Sequence, residues 1–174
     1  MRFRLLLPAL LVSQAMLANP ALAAFPEFRA KDLNGTEVTA RSHRGQATLY
    51  LIGFTYEQRA EVETWTKTLP QGLKKASLDF PLRVVQMPVL SGAGVWARPF
   101  IESGLAKNTP KADRSNVMTS TDRDALVKGL DLKDPDRAAV LALVDASGEV
   151  RLILRGGATD AKERELTQAL EALR

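Results

Sequence analysis

Two glutamates stand where a strand is predicted to end and a helix to begin, in the stretch GFTYEQRAEVETW at positions 53–65. Glu57 and Glu61 are four residues apart, so a helix beginning here would project both carboxylates to one side. Paired carboxylates can exchange protons with a substrate, or bind a hard divalent cation through oxygen. Acidic residues in a first turn also complement the helix dipole, and this second interpretation needs no ligand.

The neighbouring residues favour the helix-start interpretation. Thr55 and Gln58 have the spacing of a capping box, which satisfies backbone N–H groups that a helix start leaves unpaired. Tyr56 is then predicted to be exposed at the tip of the loop, where an aromatic side chain can contact a partner. The sequence therefore predicts no catalytic residue, no cofactor and no metal ligand. A carboxylate or metal-dependent enzyme using Glu57 and Glu61 remains the alternative.

Other reactive side chains are scarce. The chain contains no cysteine, so thiol–disulfide exchange is excluded. His43 is the only histidine and is predicted to be a solvated loop residue, because neither a nucleophile elbow nor further histidine ligands accompany it. The stretch SGAGVW at 91–96 lacks the third glycine and the lysine of a phosphate loop. Trp96 and Phe100 are predicted to attach this segment to the core.

Residues 1–23 have the pattern of a secretory signal peptide. Two arginines precede an apolar run at 5–18, and the small residues A-L-A follow. The predicted cleavage lies between Ala23 and Ala24. The alternative is a membrane anchor, but the apolar run is shorter than the ~20 residues that a membrane span needs. We expect a periplasmic product with no stable membrane span after cleavage.

The remaining chain, residues 24–174, is predicted to be a single domain. Its length allows one sizeable core, and the composition of the chain, 45% hydrophobic and 25% charged, is that of a globular protein. Beyond position 23 there are 22 basic and 20 acidic residues, which lowers the net charge from +4 to +2. This near balance argues against nucleic-acid binding.

Hydrophobic patterns predict alternating strands and helices. The predicted order is a hairpin around Asn34-Gly35, a strand at 46–54, a helix carrying Val62, Trp65 and Leu69 that ends near Pro70, a strand at 81–90, a short helix at 99–104, a short strand and helix within 116–130, two strands around the turn 145–148, and a last helix at 159–173 with Thr159 as its N-cap. The unit 46–90 should be a parallel crossover. The fold class is therefore α/β, a thioredoxin-like three-layer sandwich with a central mixed sheet flanked by helices.

Two blocks of sequence support that fold by resemblance. DLNGTEVTARSHRGQATLYLIGFT, residues 32–55, resembles the opening of extracytoplasmic thioredoxin-fold proteins. LALVDASGEVRLILRGGATDAKERELTQAL, residues 141–170, resembles the last hairpin and helix of that superfamily. Within this block, LVD-x-x-G-x-V-R followed by GGAT is similar to the mitochondrial ATP synthase assembly-factor family.

The resemblance also identifies what this chain lacks. Redox members carry their first cysteine where this chain has Glu57. The second would fall at Ala60, or at Glu61 with the three-residue spacing of the copper chaperones that assist cytochrome oxidase. The proline that usually precedes the fourth strand is replaced by Ala139. The scaffold thus resembles a redox protein from which the dithiol chemistry is missing.

A scaffold without thiols can still bind a protein or peptide at the edge where redox relatives hold theirs. We expect a non-enzymatic, chaperone-like binding or assembly protein, and the assembly-factor similarity implies subunits of a membrane complex such as ATP synthase as partners. The predicted contact residues are Thr55, Tyr56, Glu57, Asp136 and Ala139. A purely structural domain without a dedicated ligand remains a further alternative.

Overall fold

A computed structural model of the chain describes residues 23–76 and 78–174. Most of the predicted signal peptide therefore lies outside the described residues. Ala23 and Ala24, which flank the predicted cleavage site, are exposed, and the backbone of Ala24 pairs with that of Glu149. No helix within the described ranges is long and apolar enough to span a bilayer.

The described residues form strands and helices in the predicted alternation. The strands are β1 (Arg29–Asp32), β2 (Glu37–Thr39), β3 (Ala47–Gly53), β4 (Leu82–Pro88), β5 (Met118–Ser120), β6 (Val140–Val144) and β7 (Val150–Arg155). The α-helices are α1 (Arg59–Ala76), α2 (Arg98–Asn108), α3 (Arg123–Gly129) and α4 (Asp160–Glu171). Short 3-10 turns occupy Ala40–His43 and Lys111–Asn116.

The central sheet has the strand order β4-β3-β6-β7. β3 and β4 run parallel, and the other neighbours are antiparallel. A smaller antiparallel sheet, β2-β1-β5, lies beyond β4, and isolated bridges join β4 or the residue after it to the β5 region. The N-terminal hairpin, the parallel crossover, the short strand β5 and the final hairpin are confirmed.

Both faces of the central sheet are covered, which explains the continuous apolar sequence of its inner strands. One apolar cluster joins the sheet to the N-terminal segment and α3, with Phe28, Tyr50 and Leu126 at its centre. The other joins the sheet to α1 and α4 through Trp65 and Leu166. This arrangement confirms the predicted mixed sheet flanked by helices.

The first long helix differs from its prediction. Pro70 does not end it, because α1 continues to Ala76. A proline inside a helix removes one backbone hydrogen bond. Pro70 is exposed, so water can replace that bond, while Leu69 and Leu73 on the inner side still pack against the apolar cluster. Packing of the next turn thus outweighs the local preference of proline.

The middle segment also differs. The predicted anchoring of Trp96 and Phe100 in the core is wrong, because both side chains are exposed. The helix α2 is longer than predicted, and it has no buried residue. It is held by polar contacts instead: the Thr119 hydroxyl donates to the Glu102 carboxylate at 2.8 Å, and the Arg114 guanidinium donates to the Ala106 carbonyl at 2.6 Å.

Candidate functional site

The loop between β3 and α1 begins where the central strand reaches the edge of the sheet. Phe54 is buried there, Thr55 is half-buried, and the side chains of Tyr56 and Glu57 are exposed. Tyr56 keeps 78% of its surface accessible, as predicted for a loop tip. An aromatic ring so placed contributes little to packing and is available for contact with another molecule.

Gln58 fixes the loop from the inside. Its side chain is only 3% exposed; Oε1 accepts the Phe54 backbone N–H at 2.7 Å, and Nε2 donates to the Pro135 carbonyl at 2.7 Å. The predicted capping box of Thr55 and Gln58 is therefore wrong. Gln58 precedes the helix, which begins at Arg59, and it connects the loop to a chain segment far away in sequence.

Glu61 makes a second connection to that segment. Its Oε2 accepts the Ala139 backbone N–H at 2.6 Å. The Ala139 carbonyl in turn accepts the Gly156 N–H at 2.8 Å, and the Trp65 indole N–H donates to the Gly156 carbonyl at 2.9 Å. The beginning of α1, the loop before β6 and the turn after β7 are thus joined by hydrogen bonds.

The turn after β7 approaches α1 very closely. A Cβ atom at Gly157 would lie 2.8 Å from the Thr64 hydroxyl oxygen, closer than atoms in contact allow. That hydroxyl accepts the backbone N–H of Ala158 at 2.8 Å. The second glycine of the RGGAT stretch therefore permits the contact, and Thr159 caps α4 as predicted by accepting from the Lys162 N–H.

Asp136 lies on the rim of the same site. It forms an ion pair of 2.8 Å with Arg123, whose guanidinium carbon is 5.4 Å from the centre of the Phe54 ring. Arg123 of α3 thus contacts the end of β3 through the cation–π contact and the loop before β6 through the ion pair. The Asp136 side chain is exposed, and an exposed ion pair contributes little to stability.

The predicted contact residues thus occupy one edge, but they differ in accessibility. Tyr56, Glu57 and Asp136 are exposed, while Ala139 is only 2% exposed and its N–H is already bonded to Glu61. The surface formed by Tyr56, Glu57 and Asp136 is called the rim surface below. The sequence could not show that Ala139 is buried and that its backbone N–H bonds to Glu61, so that its side chain is not available to a partner.

The Glu57 and Glu61 carboxylates both accept hydrogen bonds from the protein, and Glu57 is not arranged as a proton donor. Hydrogen bonds from its own backbone N–H and from the Thr55 hydroxyl lower the pKa of Glu57, so it is ionised at neutral pH. A proton-donating carboxyl needs the opposite shift. Glu61 is occupied by the Ala139 N–H. Among the described residues, no three acidic, histidine or cysteine side chains converge as metal ligands would.

Solved structures share this architecture, although no protein-family model and no curated protein matches the chain. BsSco, a member of the Sco family of cytochrome c oxidase assembly proteins, is 14% identical with a TM-score of 0.58, covering 90% of this chain and 98% of that one. Arabidopsis thaliana ScoI with copper bound is 12% identical with a TM-score of 0.60, covering 86% and 99%. The exposed lipoprotein thioredoxin Etrx1 of Streptococcus pneumoniae strain TIGR4 is 13% identical with a TM-score of 0.55, covering 84% and 99%. The fold is thioredoxin-like.

Identities this low establish the fold and nothing finer. The similarity to ATP synthase assembly factors stays a prediction. Within the thioredoxin-like fold, the residues that the resemblance equates with the two cysteines are Glu57, and Ala60 or Glu61, so this site has no sulfur for disulfide exchange. At Glu61 the chain uses a carboxylate for an internal hydrogen bond instead.

His43 is not the solvated residue that the sequence predicts. It is 6% exposed, and its Nδ1 lies 2.5 Å from the Tyr50 hydroxyl oxygen. Burial, together with the positive charge of Arg83, lowers the pKa of His43 to about 4; burial also raises the pKa of Tyr50. The pair lies near the beginning of β3, away from the rim surface. The polar sequence around His43 contains no pattern that indicates burial, and the 3-10 turn Ala40–His43 places the imidazole inside the protein.

A groove of about 610 Å³ separates α2 from the β1 and β2 strands. Three basic and two acidic side chains line it together with threonines and small apolar residues; the charged ones are Arg29, Lys31, Arg98, Glu37 and Glu102. No sequence pattern indicates this groove, because it lies between segments that are far apart in the chain.

Proposed function

We propose that this thioredoxin-like chain is a non-redox binding protein of the periplasm that holds a protein or peptide partner at the rim surface. The observation that carries the proposal is Tyr56, an aromatic side chain 78% exposed on a loop that hydrogen bonds fix from within. Gln58 and Glu61 tie that loop and the beginning of α1 to the segment before β6.

A loop fixed in this way is suited to binding. Ordering a mobile loop costs free energy on association, and a loop already held by internal hydrogen bonds avoids that cost. Exposed tyrosines are frequent centres of binding energy in protein interfaces. Glu57 is ionised and has no ion-pair partner within the described residues, so a basic side chain next to an apolar one in the partner would complement the rim surface.

The narrower form of the proposal is a chaperone-like assembly factor for a membrane complex. One similar structure belongs to the Sco family of cytochrome c oxidase assembly proteins, and the sequence resemblance suggests ATP synthase as a candidate complex. An exported protein would meet only the outer face of such subunits. For an enzyme built on Glu57 and Glu61 we find no supporting observation, since one is exposed and the other is internally bonded.

Photocrosslinking from position 56 tests the proposal directly. Benzoylphenylalanine in place of Tyr56 should capture a discrete protein partner in intact cells, because the side chain at this position points away from the fold. The matched control is the same probe in place of Glu165, an exposed residue of α4. Equal capture patterns from both positions, or no capture from position 56, would contradict the proposal.

Truncation of the same side chain gives a quantitative prediction. Tyr56→Ala should weaken capture of the identified partner by about thirtyfold, as expected for an interface residue worth about 2 kcal/mol. Its unfolding free energy should change by less than about 0.5 kcal/mol, since the ring is exposed. Affinity by calorimetry and stability by urea unfolding measure the two effects. A variant that binds like the wild type would remove Tyr56 from the interface.

A further inference from the structure

Among the described residues, the large exposed apolar side chains outside the rim surface lie just before α2 and in its first turn. Val95, Trp96 and Phe100 are between 75% and 79% exposed, and Ile101 is 38% exposed. These four residues are called the α2 tip. Single exposed apolar residues are ordinary on protein surfaces, but a contiguous group with a tryptophan and a phenylalanine indicates an interaction site.

The α2 tip is not needed to hold the helix in place. No side chain of α2 is buried, and the groove of about 610 Å³ separates the helix from β1 and β2. The helix is attached by the Thr119–Glu102 hydrogen bond and by the Arg114 guanidinium at its far end. None of the four residues of the α2 tip lines that groove, and all four are exposed to solvent.

The exposed face of α2 changes from apolar to basic along its length. Phe100 and Lys107 are seven residues apart, which puts them on one side of α2, and Trp96 lies in the turn that precedes the helix. Lys111 begins the 3-10 turn that follows α2. Both lysines are exposed, and neither side chain has a partner within the described residues.

The positive charge of the domain is concentrated in this segment. Residues 95–114 contain four basic and two acidic side chains, whereas the other residues after position 23 contain 18 of each sign. Glu102 and Arg98 line the groove, and Arg114 donates to backbone carbonyls, which leaves Lys107, Lys111 and Asp113 as the exposed charges. An anionic surface would therefore be attracted to the α2 segment more than to any comparable neutral part of the domain.

We propose that the α2 tip inserts into the interface of a bilayer containing anionic lipids, with Lys107 and Lys111 at the headgroups. Tryptophan and phenylalanine favour the boundary between headgroups and acyl chains. Lysines near the surface add electrostatic attraction to anionic lipids. An exposed apolar tip, with lysines farther along the same segment, matches a deformable anionic surface; a protein partner or a second copy would need a pocket shaped for Trp96.

Tryptophan fluorescence reports on this insertion at a single position. The chain contains Trp65 and Trp96; Trp65 is 1% exposed and gives a constant background. We expect the emission of Trp96 to shift to shorter wavelength with vesicles in which phosphatidylglycerol replaces about a third of the phosphatidylcholine. Shallow spin-labelled lipids should quench it, and about 1 M NaCl should reverse much of the shift. Vesicles of phosphatidylcholine alone should give little change.

Matched variants separate the apolar and the electrostatic contributions. Phe100→Ser should weaken vesicle binding about tenfold, whereas Tyr56→Ser, an equally exposed aromatic, should leave it unchanged. Lys107→Gln and Lys111→Gln should each cost about fivefold. Lys128→Gln and Lys133→Gln, which remove two exposed lysines elsewhere, should have no such effect. All chains should carry the same N-terminus, so that any retained leader contributes equally.

Three outcomes would overturn the proposal. The first is an unchanged Trp96 emission in anionic vesicles at saturating lipid. The second is equal vesicle binding by the wild type and the Phe100→Ser variant. The third is a shift of Trp96 emission without lipid that grows with protein concentration and accompanies dimer formation in sedimentation, because a second copy would then cover the α2 tip.

Discussion

His43 shows how one residue can be ordinary in sequence and unusual in the structure. A histidine in a polar loop beside arginine and glycine has no periodic apolar pattern that would indicate burial. Its position is determined by the Ala40–His43 turn, which brings the imidazole to the Tyr50 hydroxyl on the neighbouring strand. Whether a short turn folds a side chain inward depends on tertiary contacts, so the sequence alone could not predict it.

The lowered pKa of His43 predicts a specific loss of stability in mild acid. In the unfolded chain the imidazole takes up its proton near pH 6.5, but in the folded protein only near pH 4. Between these values the unfolded state binds more protons, so the unfolding free energy falls as the pH drops from 6.5 to 4. We expect His43 to contribute about 2 kcal/mol of this loss, after allowance for partial solvent screening.

Urea unfolding of the wild type and of His43→Gln, at neutral pH and at several points down to pH 4, measures the contribution. Carboxyl groups titrate in both proteins, so the difference between the two curves isolates the histidine. The difference should narrow as the pH falls through this window. Parallel curves would show that the imidazole does not titrate as its burial requires.

At the scale of elements, local pattern identifies most of the strands and helices. The alternating order, the hairpins at Asn34-Gly35 and 145–148, and the N-cap at Thr159 depend on neighbouring residues, and each is confirmed. The continuation of α1 past Pro70 and the exposure of the α2 tip depend on contacts with residues far away in the sequence. A proline predicts the end of a helix only if the next turn has nothing to pack against, and the sequence does not reveal whether it has.

The connection between the beginning of α1 and the loop before β6 predicts a sensitive position. Gln58→Ala should lower the unfolding free energy by about 2–3 kcal/mol, because the buried Phe54 N–H and Pro135 carbonyl would both lose their partner. Gln58→Glu keeps an acceptor for Phe54 but places a carboxylate oxygen against the Pro135 carbonyl. It should therefore destabilise at least as strongly at neutral pH.

Urea unfolding measures both variants. The matched control is Arg59→Ala, which removes exposed contacts with Glu63 and Tyr56 and should cost less than about 1 kcal/mol. If Gln58→Glu were as stable as the wild type, the side-chain amide would not donate to the Pro135 carbonyl. The hydrogen bond that connects the loop before α1 to the segment before β6 would then be wrong.

At the scale of the whole molecule, the N-terminal segment is part of the core and not an appendage. Phe25 stacks on Tyr50 with ring centres 4.4 Å apart, and Phe28 meets the same ring edge-on. The apolar side chains of Phe25 and Phe28 can be read from the sequence. It could not reveal that they cover the face of the central sheet opposite α1, since the contacts join residues more than 20 positions apart.

One buried and one exposed phenylalanine test which segments belong to the core. Phe28→Ala should lower the unfolding free energy by about 3 kcal/mol or more, since it leaves a cavity in the cluster around Tyr50. Phe100→Ala should change it by less than about 0.5 kcal/mol, because the ring is exposed. Both variants should unfold in one transition by circular dichroism and by fluorescence. Equal losses in stability would mean that α2 is packed more closely than described.

The loose attachment of α2 has a consequence for how such a protein can change over generations. Because none of its side chains is buried, the length and composition of this helix can vary with little harm to the fold. New recognition properties can therefore be acquired here while the scaffold is inherited intact. We expect relatives of this chain to diverge fastest between the end of β4 and the beginning of β5.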